Sequence, residues 1–423
     1  MKTRGWKQTI CLLLIAVLAM QLAGCAGASQ PGEAAKAVNL MAEITPHPAE
    51  PADVTGEASA AATDFALRLF RAGAVPNKNT LISPLSVLCA LAMTANGAEG
   101  MTRSQMEQTL GLDRAQYNAF FRSFLAALAQ DDQGVLHMAN SIWFTDDTRF
   151  TVNQTFLQTN ADHYGADVFK VPFDDTTLAD INGWIKEKTD GMIPSILDEI
   201  PSNAIMYLVN ALAFDAKWEK PYRQESVAPG TFHTADSSER TVDFMGSEEH
   251  AYLEDNLATG FVKYYQGGRF AFAALLPNEG VSVESYLASL NAEGLRTMLA
   301  APKNETVLTA LPKFEASWSG ELSELLKSMG MTAPFDDDLA DFTGLGTSTG
   351  GNISISQVLH KTYVSVDEDG TRAGAATAVE MTDKAAIEEP KQVYLDRPFV
   401  YLLIDCQSGI PLFIGTMMDP NGK

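Results

Sequence analysis

Cysteine is scarce in this sequence, which contains only four in 423 residues. Cys11 and Cys25 fall near the N-terminus, while Cys89 and Cys406 lie in apolar runs with no second cysteine or histidine at metal-ligand spacing. A disulfide framework, a zinc site and a redox motif are therefore excluded as organising features. We expect Cys89 and Cys406 to be buried free thiols.

Catalytic and cofactor motifs are also missing. The six histidines show no HExxH or related spacing, and the sequence has no phosphate-binding loop and no dinucleotide fingerprint. Residues 346–350, GTSTG, match the G-x-S-x-G pattern of hydrolases, but that motif needs a strand before the serine and a helix after it. A glycine-rich stretch precedes Ser348 and a strand-like ISIS follows it. We predict a flexible loop at Ser348, no catalytic residue, no metal site and no cofactor.

Positive charge is the third scarce feature. The 30 lysines and arginines stand against 53 acidic residues, for a formal net charge of −23. The electrostatic field of such a negative charge repels nucleic acids and anionic polysaccharides, and it opposes electrostatic binding to a membrane. The composition predicts no nucleic-acid partner.

The N-terminus has the order of an export signal. Basic residues precede an apolar stretch from Ile10 to Met20, and LAGC follows at residues 22–25. The stretch is too short to span a bilayer as a mature helix. LAGC resembles the bacterial lipobox, in which cleavage after Gly24 leaves a lipid on Cys25; an ordinary cleaved signal is the alternative. We predict a signal peptide over residues 1–24. The mature protein is then expected either on the extracellular face of the cell membrane, held by the lipid, or secreted.

Residues 26–58 contain no aromatic side chain and are rich in Ala, Pro, Glu and Gly. Such a composition cannot bury enough apolar surface to offset the entropy of ordering. We predict a flexible linker over residues 25–58, beginning at the lipidated cysteine. Residues 59–423 show no internal repeat and no second linker, which favours one large domain.

The globular part mixes helical and strand patterns. Ala62 to Arg71 has helical spacing, and Ser83 is a suitable N-cap for a second helix with Pro84 in its first turn. The apolar run Ala204 to Phe214 suits a central strand, and Ile353 to Val366 alternates as a long one. Two further apolar strands around Ser408 and Gly409 form a hairpin. The predicted class is α+β.

One long segment, residues 367–396, has neither helix caps nor strand alternation. A loop of this length inside a compact domain is usually functional or disordered.

Seven segments, in order, resemble the serpin family over about residues 58–420. They are NTLISPLSVLCALAMTANGAEGMTRSQMEQTL, INGWIKEKTDGMIPSIL, MYLVNALAFDAKWEKPY, LPKFEASWSGELSELLKSMGM, ADFTGL, ISQVLHKTYVSVDEDGTRAGAATAV and PFVYLLIDCQSGIPLFIGTMMDP. The resemblance implies three β-sheets (A, B and C), about eight or nine helices, and an exposed reactive-centre loop. It also implies an inhibitor, not an enzyme: a serine protease cuts the loop, and the freed strand inserts into sheet A while the protease is still acylated on it. We expect a monomer.

The resemblance assigns the hinge of this loop to seven residues, six of which are small. They are Glu368, Gly370, Thr371, Ala373, Ala375, Ala376 and Thr377. Because successive side chains of a strand face opposite sides, Thr371, Ala373, Ala375 and Thr377 share one face and are small enough to enter a sheet. Arg372 departs from the family, which usually carries Glu there, but it would face solvent.

Counting from Glu368 by the family's usual hinge length places the scissile bond at Lys384–Ala385. A lysine there would fill the anionic pocket of a trypsin-like protease. Cleavage near Met381 or Thr382, or between Ala385 and Ala386, would instead suit chymotrypsin-like or elastase-like enzymes. Cysteine proteases, and a non-inhibitory serpin that acts as a binding protein, are the remaining alternatives.

The resemblance also assigns structural sites beneath and above the opening of sheet A. Ser83, Ser86, Asn210 and His360 match the family's shutter, a buried polar cluster whose groups should all be hydrogen-bonded. Trp218 matches the tryptophan of the breach, at the top of the sheet. Asp215 and Ala216 replace the family's common Lys and Gly beside it, which leaves the local contacts open.

Overall fold

The computed structural model describes residues 37–47, 56–129, 136–200, 205–371 and 389–422. Residues from Ala37 onward belong to one compact unit. Nine α-helices lie in the described ranges: α1 (Glu57–Gly73), α2 (Pro84–Ala95), α3 (Gly100–Leu110), α4 (Arg114–Ala129), α5 (Gln154–Tyr164), α6 (Asp175–Lys188), α7 (Val283–Ser289), α8 (Ala292–Ala300) and α9 (Ser323–Ser328). None of the described helices is long and apolar enough to cross a membrane.

The strands of the described residues fall into three sheets. They are β1 (Val38–Asn39), β2 (Thr80–Ile82), β3 (Leu136–Thr145), β4 (Phe150–Val152), β5 (Asp167–Val171), β6 (Met206–Phe214), β7 (Ala216–Lys217), β8 (Val227–His233), β9 (Glu239–Glu254), β10 (Ala258–Tyr264), β11 (Phe270–Pro277), β12 (Lys303–Pro312), β13 (Phe314–Glu321), β14 (Gly346–Ser348), β15 (Gln357–Val366), β16 (Gly370–Thr371), β17 (Lys391–Tyr394), β18 (Phe399–Asp405) and β19 (Ile410–Met417). The predicted α+β class with three sheets is confirmed.

Sheet A has eight strands: seven follow the order β1-β5-β3-β6-β15-β16-β7, and β13 pairs with the opposite edge of β15. Its centre is β6, whose nine residues are all buried, as the apolar run predicted. β6 runs antiparallel to β3 and parallel to β15. The upper end of sheet A is therefore the end where β6 and β15 both finish.

The second sheet has nine strands, and its long strand β9 passes through two regions. The first residues of β9 pair with β8, and its last residues pair with β10. The middle of β9, from Phe244 to Tyr252, pairs with β12. The predicted C-terminal hairpin is present as β18 and β19 in this sheet, with Gly409 at a φ of 68° in the turn. The third sheet joins only β4 and β14.

Two layers of side chains cover the two faces of sheet A. The larger core lies between the sheets and includes α1 and α2, and every residue of α2 is buried. Helix α2 begins as predicted, because the Ser83 side chain accepts a hydrogen bond from the Ser86 amide. A smaller cluster under α6 packs Ile181 and Ile185 against the opposite face of β3 and β6.

Residues 37–47 correct the linker prediction. β1 pairs antiparallel with β5 at the edge of sheet A, and Leu40, Met41 and Ile44 pack on the main core. Further along, the His47 amide donates to Asp162 at 2.7 Å. The three apolar residues were hidden in the averaged composition of a tract rich in Ala, Pro and Glu. Residues 37–47 thus belong to the folded body, which was predicted to begin only at residue 59; the signal peptide and Cys25 lie outside the described residues.

Removing this N-terminal segment is expected to destabilise the body. Three partly buried side chains would lose their contacts, and the edge of β5 would lose its partner, which costs about 2–4 kcal/mol. Urea unfolding of residues 37–423 against residues 56–423 measures the loss. Leu40→Ala should reproduce part of it, whereas Val38→Ala, at a side chain that is 58% exposed, should not. Equal midpoints for the two chains would contradict the assignment.

Two smaller predictions have mixed outcomes. Cys89 is a buried free thiol as expected, but Cys406 is exposed because it lies in the turn between β18 and β19 instead of within a strand. Ser348 ends the short strand β14, and residues 349–356 are not helical, so the strand–turn–helix context of a hydrolase nucleophile is missing there.

Candidate functional site

The centre of sheet A is closed in the described residues. β15 pairs directly with β6 at seven consecutive positions, from Gln357 opposite Tyr207 to Tyr363 opposite Ala213. The pairing is parallel, and no strand lies between the two. A strand that entered from the upper end would have to separate this ladder, and it would run antiparallel to both neighbours. Since antiparallel pairs are slightly more stable per residue, such an exchange favours the open, filled sheet.

The chain turns back immediately after β15. Asp367, Glu368 and Asp369 form a tight turn, and the next strand, β16, pairs with Val366 on one side and with β7 on the other. Gly370 is required here because a Cβ at this position would lie 2.1 Å from the Ala216 carbonyl oxygen. Ala216, a departure from the family pattern, thus serves as a strand partner for the hinge.

Three consecutive carbonyl groups of this turn are bound by residues 218 and 222. The Trp218 side chain donates to the Asp367 oxygen, the Trp218 amide to the Asp369 oxygen and the Tyr222 amide to the Glu368 oxygen, each at 2.9 Å. The Glu368 carboxylate also forms an ion pair with Lys313. The predicted hinge residue Glu368 and the predicted breach residue Trp218 are therefore brought together.

Thr371 ends the described hinge in a buried position. Its hydroxyl lies 2.7 Å from that of Tyr265, whose ring stacks on Trp218 with a centroid distance of 4.4 Å. Burial raises the pKa of Tyr265, so the phenol stays protonated and can share this hydrogen bond. Family matching found Trp218 but missed Tyr222, Tyr265 and Lys313, since only their long-range contacts reveal their role.

The four predicted shutter residues meet beneath the β6–β15 ladder. His360 on β15 lies directly opposite Asn210 on β6, and its Nδ1 contacts the Asn210 amide oxygen. The Ser83 amide donates to His360 Nε2 at 3.1 Å, so Nδ1 carries the proton. Ser86 donates to the same Asn210 oxygen at 3.3 Å. The cluster thus bridges both central strands to the start of α2.

One buried atom of the shutter contradicts the expectation that all its groups are hydrogen-bonded. The Asn210 Nδ2 group has no partner, nor has the Asn140 Oδ1 atom on the neighbouring strand β3. Asn140 and Asn210 are opposite each other in the β3–β6 register. Sequence matching could not detect this, because it reports which residues meet and not which of their atoms do.

The shutter histidine predicts a pH effect on stability. Burial lowers the pKa of His360 to about 3, so the unfolded chain takes up this proton first as the pH falls. The contribution of neutral His360 to the free energy of unfolding is fully present above about pH 6.5 and is lost progressively as the pH falls toward about 3. From pH 7 to pH 5 the loss should be about 2 kcal/mol. Urea unfolding at both pH values measures it. His360→Gln keeps a donor and an acceptor but cannot titrate, so its pH-dependent loss should be smaller by that amount; an unchanged loss would refute the assignment.

The remaining predicted site residues lie outside the described ranges. They are Ala373, Ala375, Ala376, Thr377, Lys384 and Ala385, together with Arg372. The chain is described again from residue 389, and β17 then pairs parallel with β12 at the edge of the nine-stranded sheet. Within the described residues, no group of three or more His, Cys, Asp or Glu side chains could hold a metal ion.

Comparison with known proteins agrees with this geometry. Residues 60–420 match the family model described as serpin (serine protease inhibitor). The plasma serine protease inhibitor of Bos taurus is 31% identical over 369 residues, which cover 84% of this chain and 90% of that protein.

Two solved structures of one protein are informative because they differ in state. The crystal structure of the thermophilic serpin Tengpin in the native state has a TM-score of 0.86 and 41% identity, covering 91% of this chain and all of that one. Tengpin in the latent state has a TM-score of 0.77 and 40% identity, covering 88% of this chain and all of that one. By overall TM-score, this chain is thus more similar to the native form than to the latent form.

Proposed function

This chain belongs to the serpin family, and we propose that it inhibits serine proteases as a suicide substrate. The observation that carries the proposal is the closed β6–β15 ladder with the small-residue hinge turned back at its upper end. The loop that starts at Thr371 begins beside the position that a further strand of sheet A would occupy. Serpins in general are protease inhibitors and not enzymes, although some members do not inhibit.

The proposed mechanism uses the difference between the closed and the filled sheet. A protease cuts the loop and remains attached to it as an acyl-enzyme, and the freed strand enters between β6 and β15. Each residue of that strand adds roughly one ladder hydrogen bond worth a net ~0.5–1.5 kcal/mol, so about a dozen residues release on the order of ten kcal/mol. That energy suffices to carry and distort the attached enzyme before the acyl bond is hydrolysed.

We propose trypsin-like enzymes as the main targets, with the bond between Lys384 and Ala385 as the scissile bond. The test is incubation of residues 37–423 with trypsin and with elastase, followed by denaturing electrophoresis and mass analysis of the released peptide. We expect a denaturation-resistant complex with trypsin and a peptide that begins at Ala385. A peptide with another start would move the bond toward the chymotrypsin-like or elastase-like alternatives.

A pair of lysine variants sharpens this test. Lys384→Ala should reduce the rate of complex formation with trypsin by a factor of about 100 or more, since the charged side chain would no longer fill the anionic pocket. Lys391→Ala is the matched control, because Lys391 lies on β17, beyond the proposed bond. Clean cleavage without a complex, across a wider panel that includes cysteine proteases, would refute inhibition and favour a binding protein.

We further propose export and attachment to the outer face of a membrane through a lipid on Cys25. The LAGC sequence behind an apolar run supports this placement, and the net charge of −23 leaves the lipid as the main means of attachment. Mass analysis of the chain from a bacterial membrane fraction should find a lipidated N-terminal cysteine, and Cys25→Ser should release the protein. An unmodified, soluble wild-type chain would exclude the anchor.

A further inference from the structure

Asn140 and Asn210 face each other across two neighbouring strands of sheet A. They are directly opposite in the antiparallel β3–β6 register. Opposite residues of such a pair point to the same face of the sheet, with their Cβ atoms about 4.5–5.5 Å apart. That face carries the larger core, because Ile142, two residues after Asn140, belongs to it and Asn210 contacts Ser86 of α2. Asn210 is fully buried, and Asn140 is only 9% exposed.

The orientation of the Asn210 amide is fixed by its other partners. Its oxygen accepts hydrogen bonds from Ser86 Oγ at 3.3 Å and from His360 Nδ1. Nδ1 carries the proton, since Nε2 accepts from the Ser83 amide at 3.1 Å. A flipped Asn210 amide would therefore set its own N–H groups against the N–H of His360. The oxygen thus faces β15, and the nitrogen is turned toward the other side of β6, where β3 lies.

Two complementary polar atoms consequently lie between β3 and β6. Within the described residues, the donor Asn210 Nδ2 and the acceptor Asn140 Oδ1 are both buried, and neither has a hydrogen-bond partner. A buried polar group without a partner is costly, and ordered water commonly satisfies such groups where no side chain reaches them. One water molecule can accept from the nitrogen and donate to the oxygen at the same time.

Solvent can reach this position along the side of β3. Asn140 lines a cavity of about 50 Å³, together with Leu125 on α4, Tyr164 on α5 and Asp167 on β5. β5 begins to pair with β3 only at Ser141, so no strand of the described residues pairs with β3 on that side at Asn140. A water molecule needs about 10–15 Å³ of such space and two to four polar partners. The cavity is therefore large enough to admit one.

We propose that Asn140 and Asn210 form a binding site for one ordered water molecule, which enters through this cavity. The bound water accepts a hydrogen bond from Asn210 Nδ2 and donates one to Asn140 Oδ1. Asn140 is then a positioning residue of the shutter: it holds one side of the Asn210 amide through the water, while His360 and Ser86 hold the other. The cluster that joins β6 to β15 extends in this way to β3. The inference concerns the intact fold and does not depend on inhibition of a protease.

A high-resolution crystal structure of the protein tests the site directly. We expect one water oxygen within about 2.7–3.2 Å of both Asn210 Nδ2 and Asn140 Oδ1. A direct hydrogen bond between the two amides, or apolar side chains that close the space between them, would overturn the proposal.

Substitutions at Asn140 separate a hydrated polar site from a position that only fills space. At a packing position Leu should be tolerated better than Ser, because Leu keeps the side-chain volume whereas Ser leaves a cavity. The water site predicts the reverse order. Ser keeps an acceptor and leaves room for a second water molecule, whereas Leu removes the acceptor and excludes water from Asn210 Nδ2.

The measurement is the equilibrium constant of unfolding, obtained from urea titrations. We expect it to rise about tenfold or more in Asn140→Leu and by less than about threefold in Asn140→Ser. Met138→Leu is the matched control, because Met138 lines the same cavity with an apolar side chain, and its constant should change by less than about threefold. An Asn140→Leu variant that is as stable as Asn140→Ser would refute the water site.

If Asn140→Leu does not fold, the crystal structure of Asn140→Ser decides the question. We expect two water molecules there, one beside Asn210 Nδ2 and one in place of the missing amide. A collapsed cavity without water beside Asn210 would refute the site.

Discussion

Thr371→Arg is expected to convert the protein from an inhibitor into a substrate. Thr371 is fully buried against Tyr265, and in an inserted strand it would share the inward face with Ala373 and Ala375. An arginine cannot share the buried site beside Tyr265, so it would leave that site in the intact form and would have to be buried again on insertion. The rate of insertion falls about tenfold for each 1.4 kcal/mol added to the barrier. The acyl-enzyme then hydrolyses before the protease is trapped.

The measurement is the number of inhibitor molecules consumed for each trypsin molecule inactivated. It should rise at least about tenfold in Thr371→Arg, while the cleavage site stays the same because the proposed bond is distant in sequence from the substitution. Thr371→Ser is the control, since it keeps a small side chain and the hydroxyl that meets Tyr265. A Thr371→Arg variant that still traps trypsin as the wild type does would refute strand insertion as the trapping step.

The second large effect is expected for Glu368→Lys. Burial is the largest influence on Glu368 and opposes its ionisation, but the hydrogen bond and the charge of Lys313 and a backbone hydrogen bond together outweigh it and hold the pKa of the carboxyl below its ordinary value, so the carboxylate is ionised at neutral pH. A lysine at 368 replaces this attraction by repulsion between two partly buried ammonium groups. We expect a loss of roughly 2–4 kcal/mol in the intact form and an easier separation of β15 from β6.

Easier separation has a consequence that can be measured without a protease. The opened sheet of one molecule can accept the loop of another, so warming the Glu368→Lys variant should yield oligomers on size-exclusion chromatography. The double variant Lys313→Glu, Glu368→Lys restores an opposite-charge pair and should recover most of the stability. If the double variant oligomerises as readily as the single one, the ion pair is not the cause.

Local signals explain which parts of this fold could be predicted from the sequence. The buried strand β6, the N-cap at Ser83 and the C-terminal hairpin each have a short pattern with one physical solution. Family resemblance added Asn210 and His360, whose pairing depends on the register of two strands that are about 150 residues apart. That register cannot be read from the spacing of either strand alone.

The parts that were missed have physical reasons as well. Lys263 lies in an otherwise apolar strand, and its burial against the Tyr222 ring and its ion pair with Glu249 depend on contacts outside that strand. Residues 37–47 have too few apolar side chains to fold alone, so their order depends on the edge of β5 that receives them. In both cases the structure depends on a contact with another segment of the chain, and the local composition does not reveal that contact.

The direction of β1 sets where the N-terminal segment enters the folded body. Val38 lies opposite Lys170 near the end of β5, so Ala37 enters the body at the lower end of sheet A, whereas Thr371 leaves at the upper end. If Cys25 carries the proposed lipid, the twelve steps from Cys25 to Ala37 limit their separation to at most about 43 Å, since each step spans no more than ~3.6 Å. In a molecule tethered in this way, the reactive-centre loop would start at the end of sheet A opposite the tether. With the proposed anchor in place, insertion would move a captured protease toward the lower end of sheet A, which is the end where the tether enters.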